Sequence, residues 1–331
     1  MRAYVVDRPG GPEVLTLREV PDPVPGPGEV LIRVRAFGLN RAEVVTRRGG
    51  SGSAVAFPRV LGIECVGEVA DAPGGQFAPG QRVAALMGGM GRAFDGSYAE
   101  YTSVPTGQVI AVDTHLPWTA LAALPETYLT AWGCLHDALR VRPGCRIVVR
   151  PGASALGLAV AQIVTDLGGE CVAVTRSPTK ADALRAAGYA EVIVSDGPVA
   201  ADVRDFWPDG ATGILDTVTS AATVRDDLRM RAPRGRICIA GSLSASDGTG
   251  SPGLTTATAL ALPYVTTFSS ETVTAQDHGT TLQRVIGHVE DGDYLASPAA
   301  VVPFEHLPDA HARMDRNDVV GKIVVDVHAD T

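Results

Sequence analysis

The chain has 331 residues, 45% of them hydrophobic and 5% aromatic, a length that suits two ordinary domains and a composition that can bury a core. Its 37 acidic side chains outnumber 28 basic ones, for a formal charge of -9, and no Lys/Arg-rich run is present to follow a phosphate backbone or an anionic membrane, so neither nucleic acid nor a membrane is an expected partner. No apolar run reaches the roughly 18 residues of a membrane span, and Met1 to Asp7 turns charged before any stretch of signal-peptide length, so a cytoplasmic protein is expected.

The N-terminal third reads as β-structure. Val30, Ile32 and Val34 alternate with Leu31, Arg33 and Arg35, which puts the three β-branched residues on one face and the arginines on the other. Prolines at 21, 23, 25 and 27 ahead of it cannot donate ladder hydrogen bonds and predict an extended surface loop. Short apolar runs around Val60 to Val69 and Gln81 to Leu86, broken by Gly and Pro, continue a mostly β module to about residue 118. Cys65, Cys134, Cys145, Cys171 and Cys238 are widely separated, and the seven histidines show no i, i+4 pair, so free thiols and no metal site are expected.

From about residue 119 strands alternate with helices, the pattern of a parallel sheet with right-handed crossovers. The strand Arg146 to Val149 leads through a turn into a helix carrying Leu156, Ala159, Val160, Ile163, Val164 and Leu167. The strand Cys171 to Thr175 follows, then Ser177 as N-cap and Pro178 at the first position of a helix running to Gly188. Strands at Glu191 to Val194, Gly213 to Asp216 and Arg236 to Ala240 add rungs to an open α/β, doubly wound sheet. A Gly/Ser/Thr-rich loop over 242–256, a strand Tyr264 to Phe268, a helix with Leu282, Val285, Ile286 and Val289, and a last strand Lys322 to Val327 complete the chain.

The turn Gly152-Ala153-Ser154-Ala155-Leu156-Gly157 joins a strand to a helix, where backbone N–H groups and the positive helix end suit a pyrophosphate; a serine replaces the middle glycine of the usual pattern. A strand-helix turn without a ligand is the plainer alternative. About 20 residues on, where an acidic residue would bind the ribose 2′-hydroxyl of NAD, the strand ends Thr175-Arg176-Ser177, with Lys180 at the next helix start. That set suits a 2′-phosphate, hence NADPH.

These segments stand in an order that resembles the medium-chain dehydrogenase/reductases, in their zinc-independent quinone oxidoreductase branch. Gly38-Leu39-Asn40-Arg41-Ala42-Glu43, with Arg47 and Gly49, is similar to the branch's G-x-N-x-x-D segment. Leu61 to Gly67 resembles its G-x-E-x-x-G turn, and Asp95 to Tyr101 its G-G-S-Y-A-E-Y strand. Leu124 to Trp132 resembles the helix entering the nucleotide domain, and Gly321 to Val324 the closing G-K-I-V. The resemblance implies a GroES-like, mostly β substrate domain from both chain ends (1–118 and 269–331), a Rossmann domain over 119–268, and a cleft where nicotinamide meets substrate. It places Gly152, Ala153, Ser154, Ala155, Leu156 and Gly157 on the pyrophosphate and Thr175, Arg176, Ser177 and Lys180 on the 2′-phosphate. Thr130, Val218, Gly241 and Ser242 fall near the ribose and nicotinamide, and Asn40 over the nicotinamide and substrate, with Asn40 and Thr130 as catalytic candidates. A plain loop-capping role is the alternative for Asn40. A homodimer joined edge to edge through Tyr264 to Phe268 is also implied.

Three departures sharpen the expectation. Ile63 occupies the histidine position of the zinc enzymes and has no lone pair for a metal, and the four-cysteine zinc lobe is missing. Ser51 stands where many branch members carry tyrosine, and Asp196 where another tyrosine packs on the cofactor. The expected activity is metal-independent, NADPH-dependent reduction of quinones or other α,β-unsaturated carbonyl compounds by hydride transfer. The alternatives are a reductase or cyclising enzyme dedicated to one biosynthetic intermediate, and a non-catalytic NADPH-binding protein.

Overall fold

The computed structural model describes residues 1–241, 243, 262, 264–272, 275–296 and 298–328. They form two compact units, Met1–Leu129 with Ser270–Thr331, and Thr130–Ser269. Apart from Leu243, the loop expected over 242–256 lies outside the described residues.

In the first segment the strands are β1 (Arg2–Val6), β2 (Thr16–Glu19), β3 (Glu29–Gly38), β4 (Arg59–Val60), β5 (Glu64–Asp71), β6 (Arg82–Leu86), β7 (Tyr101–Pro105) and β8 (Val109–Ala111). Helices α1 (Arg41–Arg47), α2 (Trp118–Leu121) and α3 (Pro125–Gly133) accompany them. The second unit holds β9 (Arg146–Arg150), α4 (Ala155–Asp166), β10 (Glu170–Thr175), α5 (Ala181–Ala186), β11 (Glu191–Val194), α6 (Ala200–Phe206), β12 (Ala211–Asp216), α7 (Ala221–Met230), β13 (Arg231–Ile239) and β14 (Val265–Thr267). The chain returns to the first unit with α8 (Ala275–Glu290), β15 (Ala300–Pro303), α9 (Leu307–Arg316) and β16 (Ile323–Asp326).

The first unit is built on a seven-stranded sheet in the order β15-β16-β3-β5-β6-β8, with β7 also pairing β3, beside a three-stranded β2-β1-β4 sheet. Val30, Ile32 and Val34 are fully buried, as their alternation requires, and Phe37 and Tyr98 stack at 4.9 Å between ring centroids in the same core. This unit extends past residue 118 because α2 packs on β3, β5 and β16, and the Glu126 N–H donates to the Glu64 carboxylate at 2.9 Å. The segment over 21–28 carries no strand, in keeping with its prolines. Helix α1 interrupts the expected β module because Asn40 opens it and the Glu43 carboxylate turns back to the Asn40 N–H at 2.5 Å.

The second unit is a six-stranded parallel sheet in the order β11-β10-β9-β12-β13-β14. Val148, Val172, Ile214 and Ile237 are fully buried, as expected of strands covered on both faces. The helix expected from Ser177 to Gly188 is shorter: one 3-10 turn over Pro178–Lys180 precedes α5, which ends at Ala186.

Candidate active site

In the nucleotide-type unit, the expected pyrophosphate turn follows β9 and opens α4. Ser154 is the N-cap of α4: its hydroxyl accepts from the Gly157 N–H at 3.0 Å and donates to the Pro151 carbonyl at 3.1 Å. The serine in the middle of the motif is therefore turned into the loop's own bonding. Ala155 and Leu156 follow in the first turn, where N–H groups have no carbonyl within the helix to bond, so they are the donors left for an anion at the positive end of a twelve-residue helix. A β-carbon on Gly157 would lie 2.6 Å from the Gly152 carbonyl oxygen and 2.9 Å from the Tyr189 hydroxyl; one on Gly152 would lie 2.5 Å from the Ala173 Cβ. Both glycines are thus required by packing, independent of ligand. Tyr189, buried behind the turn, donates to the Gly152 carbonyl at 3.0 Å, and its burial pushes its phenol well above the ordinary tyrosine value. No motif reading singled it out.

The other nucleotide candidates gather at the carboxyl ends of adjacent strands. The Gly152 N–H donates to the Val174 carbonyl at 2.9 Å, which ties the turn to the end of β10. Thr175 is buried and accepts from the Ser177 N–H at 3.2 Å, while Arg176 is exposed and its guanidinium pairs with no described residue. Ser177 and Lys180 are partly exposed, Ser177 capping the following 3-10 turn and Lys180 ending it. No carboxylate stands among these four residues to repel a phosphate. At the end of β12, Asp216 accepts from the Val218 and Thr219 N–H groups at 2.7 and 3.2 Å, and the Thr219 hydroxyl donates to the Gly241 carbonyl at 2.6 Å, so Val218 and Gly241 are held beside each other. Behind them Asp227 is fully buried near Asp216, and burial together with that neighbour drives its carboxyl well above the usual range. Ser242 lies outside the described residues, Asp196 is exposed, and Thr130 is partly buried on α3.

In the first unit, Asn40 sits in a charged cluster. The Lys322 ammonium bonds the Asn40 Oδ1 and the Glu64 Oε1, each at 2.6 Å, in an ion pair whose side chains are 5% and 1% exposed. One Asn40 amide hydrogen goes to Glu64 Oε1 at 2.9 Å; the other has only long contacts, 3.4 Å to Glu43 Oε1 and 3.5 Å to the Gly38 carbonyl. The loop-capping alternative is thus part of the geometry, through Glu43, and one N–H remains weakly committed.

Glu43 is fully buried, and burial outweighs its backbone donors Asn40 and Ile63 and the nearby Lys322, so its carboxyl is pushed up to about 7. It heads a buried chain of polar groups. Arg47 donates to His311 Nδ1 at 3.0 Å and to Asp315 at 2.6 Å, which leaves the ring proton on Nε2 to bond the Tyr98 hydroxyl at 2.9 Å. Burial first, then Arg47, holds His311 down to about 3. Glu43, Arg47, Glu64, Tyr98 and Lys322 entered the sequence reading as letters of motifs, and His311 did not enter it; their mutual hydrogen bonds join positions up to 264 residues apart. Ser51 shares a 2.8 Å hydroxyl contact with Thr46, and Ile63 is buried.

Among the described residues, no group of three His, Cys, Asp or Glu could hold a metal ion, all five cysteines are free and buried, and no helix is long and apolar enough to cross a membrane.

Residues 26–114 match the family "Alcohol dehydrogenase GroES-like domain" and residues 155–282 the family "Zinc-binding dehydrogenase". A curated relative, the spectinabilin polyketide synthase system protein NorB of Streptomyces orinoci, is 32% identical over 67% of this chain, which spans 10% of that protein; the match likewise covers less than two thirds of a rat synaptic vesicle membrane protein VAT-1 homologue, at 58%. Among solved structures, mycobacterial Rv1454c complexed with NADPH is 25% identical, covers 99% of this chain and 100% of its own, and has a TM-score of 0.85; a mycobacterial quinone oxidoreductase structure gives 25%, 99%, 100% and 0.82. An NAD-dependent alcohol dehydrogenase is 29% identical with coverages of 99% and 100% and a TM-score of 0.82. With its GroES-like unit, its parallel nucleotide-type sheet and isoleucine at the zinc-ligand position, the chain belongs to the medium-chain dehydrogenase/reductase superfamily, in the zinc-independent quinone oxidoreductase branch.

Proposed function

We propose that this oxidoreductase is a metal-independent reductase of quinones or other α,β-unsaturated carbonyl compounds that uses NADPH. The observation that carries the cofactor choice is the end of β10: a buried threonine, an exposed Arg176 that pairs with no described residue and no carboxylate among Thr175, Arg176, Ser177 and Lys180, next to a turn whose glycines close on Tyr189 and Ala173. When bound, NADPH supplies the hydride. Gly152 to Gly157 hold the pyrophosphate through the Ala155 and Leu156 N–H groups, and Thr175, Arg176, Ser177 and Lys180 take the 2′-phosphate, Arg176 through charge-assisted bonds that NADH has no group to receive. The Asp216 brace keeps Val218 and Gly241 in place for the ribose and nicotinamide, with Thr130 and Ser242 assigned to the same region.

On the substrate side Asn40 is the proposed donor to the developing oxyanion, through the amide hydrogen whose contacts within the protein are long. Lys322 and Glu64 fix the amide's orientation by bonding its other two positions. A quinone or enone is already electrophilic, so positioning and this donor suffice, and water handles the proton. The reading includes a homodimer, supported by β14, which among the described residues ends the sheet order and leaves an edge for a second copy; a monomer in size-exclusion with light scattering would remove that part. The polyketide synthase relative favours the second reading, a reductase dedicated to one biosynthetic intermediate, over a binding protein without activity. The test is NADPH consumption with a simple quinone and a simple enone in parallel; binding without consumption of either would discard the reductase reading.

A further inference from the structure

Where β9, β12 and β13 begin, at the end of the sheet opposite the Gly152–Gly157 turn, the second unit carries a concave site of about 340 Å³. β9 is five residues long, so this site lies roughly 15 Å along the strand from the expected pyrophosphate. Arg140, Arg142, Arg234 and Arg236 line it from two chain segments, with Cys145 and Thr212 at their side, and no carboxylate is among the lining residues.

The chain pairs some of its arginines with acids and leaves others, Arg82, Arg204 and Arg231 among them, without an ion pair among the described residues. It has nine more acidic than basic side chains, and Arg2, Arg18, Arg35, Arg47, Arg59 and Arg92 all form ion pairs. By contrast, Arg140, Arg142 and Arg234 bond no described residue through their guanidinium groups, and among the described residues Arg236 donates only to the Ala138 carbonyl, at 2.8 Å, which fixes it without neutralising it. Two of the four also sit in left-handed backbone, Arg140 at φ 54° and Arg234 at φ 62°, a conformation glycine adopts with least strain. Arg140 closes a π-helical turn over Cys134–Leu139. Two left-handed positions are thus held by arginine, and Arg140, Arg142 and Arg234 are exposed around the site.

We propose that this cavity binds the phosphate group of a small soluble phosphoester, at a site separate from the nucleotide turn. Planar guanidinium forks match phosphate oxygens two at a time, and arginine keeps its charge at any physiological pH. The volume sits at the low end of small-molecule pockets, enough for a phosphate with a small organic group.

Isothermal titration of inorganic pyrophosphate into the full chain, with and without saturating NADPH, tests this. One site per chain should persist when NADPH is present. Arg142→Gln combined with Arg234→Asn, asparagine being tolerant of left-handed backbone, should weaken binding at least about tenfold, and Arg140→Asn alone should also weaken it, with thermal unfolding unchanged in both. Arg176→Ala should leave it intact. Binding lost only in Arg176→Ala, or only when NADPH is added, would put the anion in the nucleotide turn and overturn the proposal. No heat at millimolar pyrophosphate, or binding unchanged in both arginine-cavity variants, would overturn it too. Capture by phosphatidylserine vesicles without pyrophosphate binding would assign the cations to a lipid surface and refute a small-molecule site.

Discussion

Lys322→Met is the most informative perturbation of the Asn40 cluster. It leaves the Glu64 carboxylate, 1% exposed, without the ammonium 2.6 Å away, while the Asn40 amide and the Glu126 N–H, both at 2.9 Å, still donate to it. Breaking a buried pair from one side costs about 3–5 kcal/mol, because the surviving charge stays desolvated; the two remaining donors place this case toward the lower figure. For a unit of this size each kcal/mol moves Tm by about 2–4 °C, so a fall of roughly 6–12 °C is expected. Glu64→Gln should cost a similar amount by stranding the lysine. Joining both changes removes both charges, and the double variant should recover at least half of the summed loss. Differential scanning calorimetry of the four proteins measures this. If the single changes each cost under about 1 kcal/mol, or the double variant loses the full sum, the pair is not a coupled buried unit.

Glu43 and His311 give opposite pH dependences. Glu43 has a folded pKa of about 7, above its ordinary 4.5, so the folded state holds a proton the unfolded chain has released and stability falls as pH rises through that window, by about 3 kcal/mol in all. His311, at about 3 instead of 6.5, makes the unfolded chain the better proton binder, so stability falls as pH drops below 6.5. Between pH 4.5 and 6.5 the two slopes offset each other, and Glu43→Gln should expose a rise with pH there that denaturant titrations at several pH values will detect; a flat profile in that variant would deny the His311 assignment. Gly157→Ala should abolish NADPH binding or unfold the turn, since its β-carbon falls 2.6 Å from a backbone carbonyl oxygen, and a variant with normal cofactor affinity would contradict the packing. Arg176→Ala should raise the Kd for NADPH by about tenfold or more and leave NADH nearly unchanged; an equal loss for both would make the arginine structural. Asn40→Ala should lower kcat/KM by roughly ten- to a thousandfold, and a silent variant would leave Asn40 as a cap only.

The parallel sheet and its turn were legible because period and punctuation are local: β9, the Ser154 cap and α4 lie within 21 consecutive residues, and the β-branched run of β3 declares its buried face by alternation. The placement of Asn40 was not, because its partners come from Glu64 and Lys322, brought in by antiparallel pairing of β3 with β5 and β16. Glu43 reads as an ordinary helix-opening acid; only burial among Tyr98, Ile63 and Lys322 makes it a high-pKa carboxyl. Tyr189 is similarly silent in sequence, since nothing local says that its hydroxyl reaches back 37 residues to Gly152.

The claim that the chain is an NADPH-dependent reductase is tested most directly by mixing the full chain with NADPH carrying deuterium at the transferring carbon and a cyclic enone, then following nicotinamide absorbance and product mass together. The account predicts one NADPH oxidised per enone reduced, deuterium at the β-carbon of the product, and slower turnover with NADH. Tight NADPH binding with no oxidation in the presence of either an enone or a quinone, or turnover faster with NADH, would contradict it.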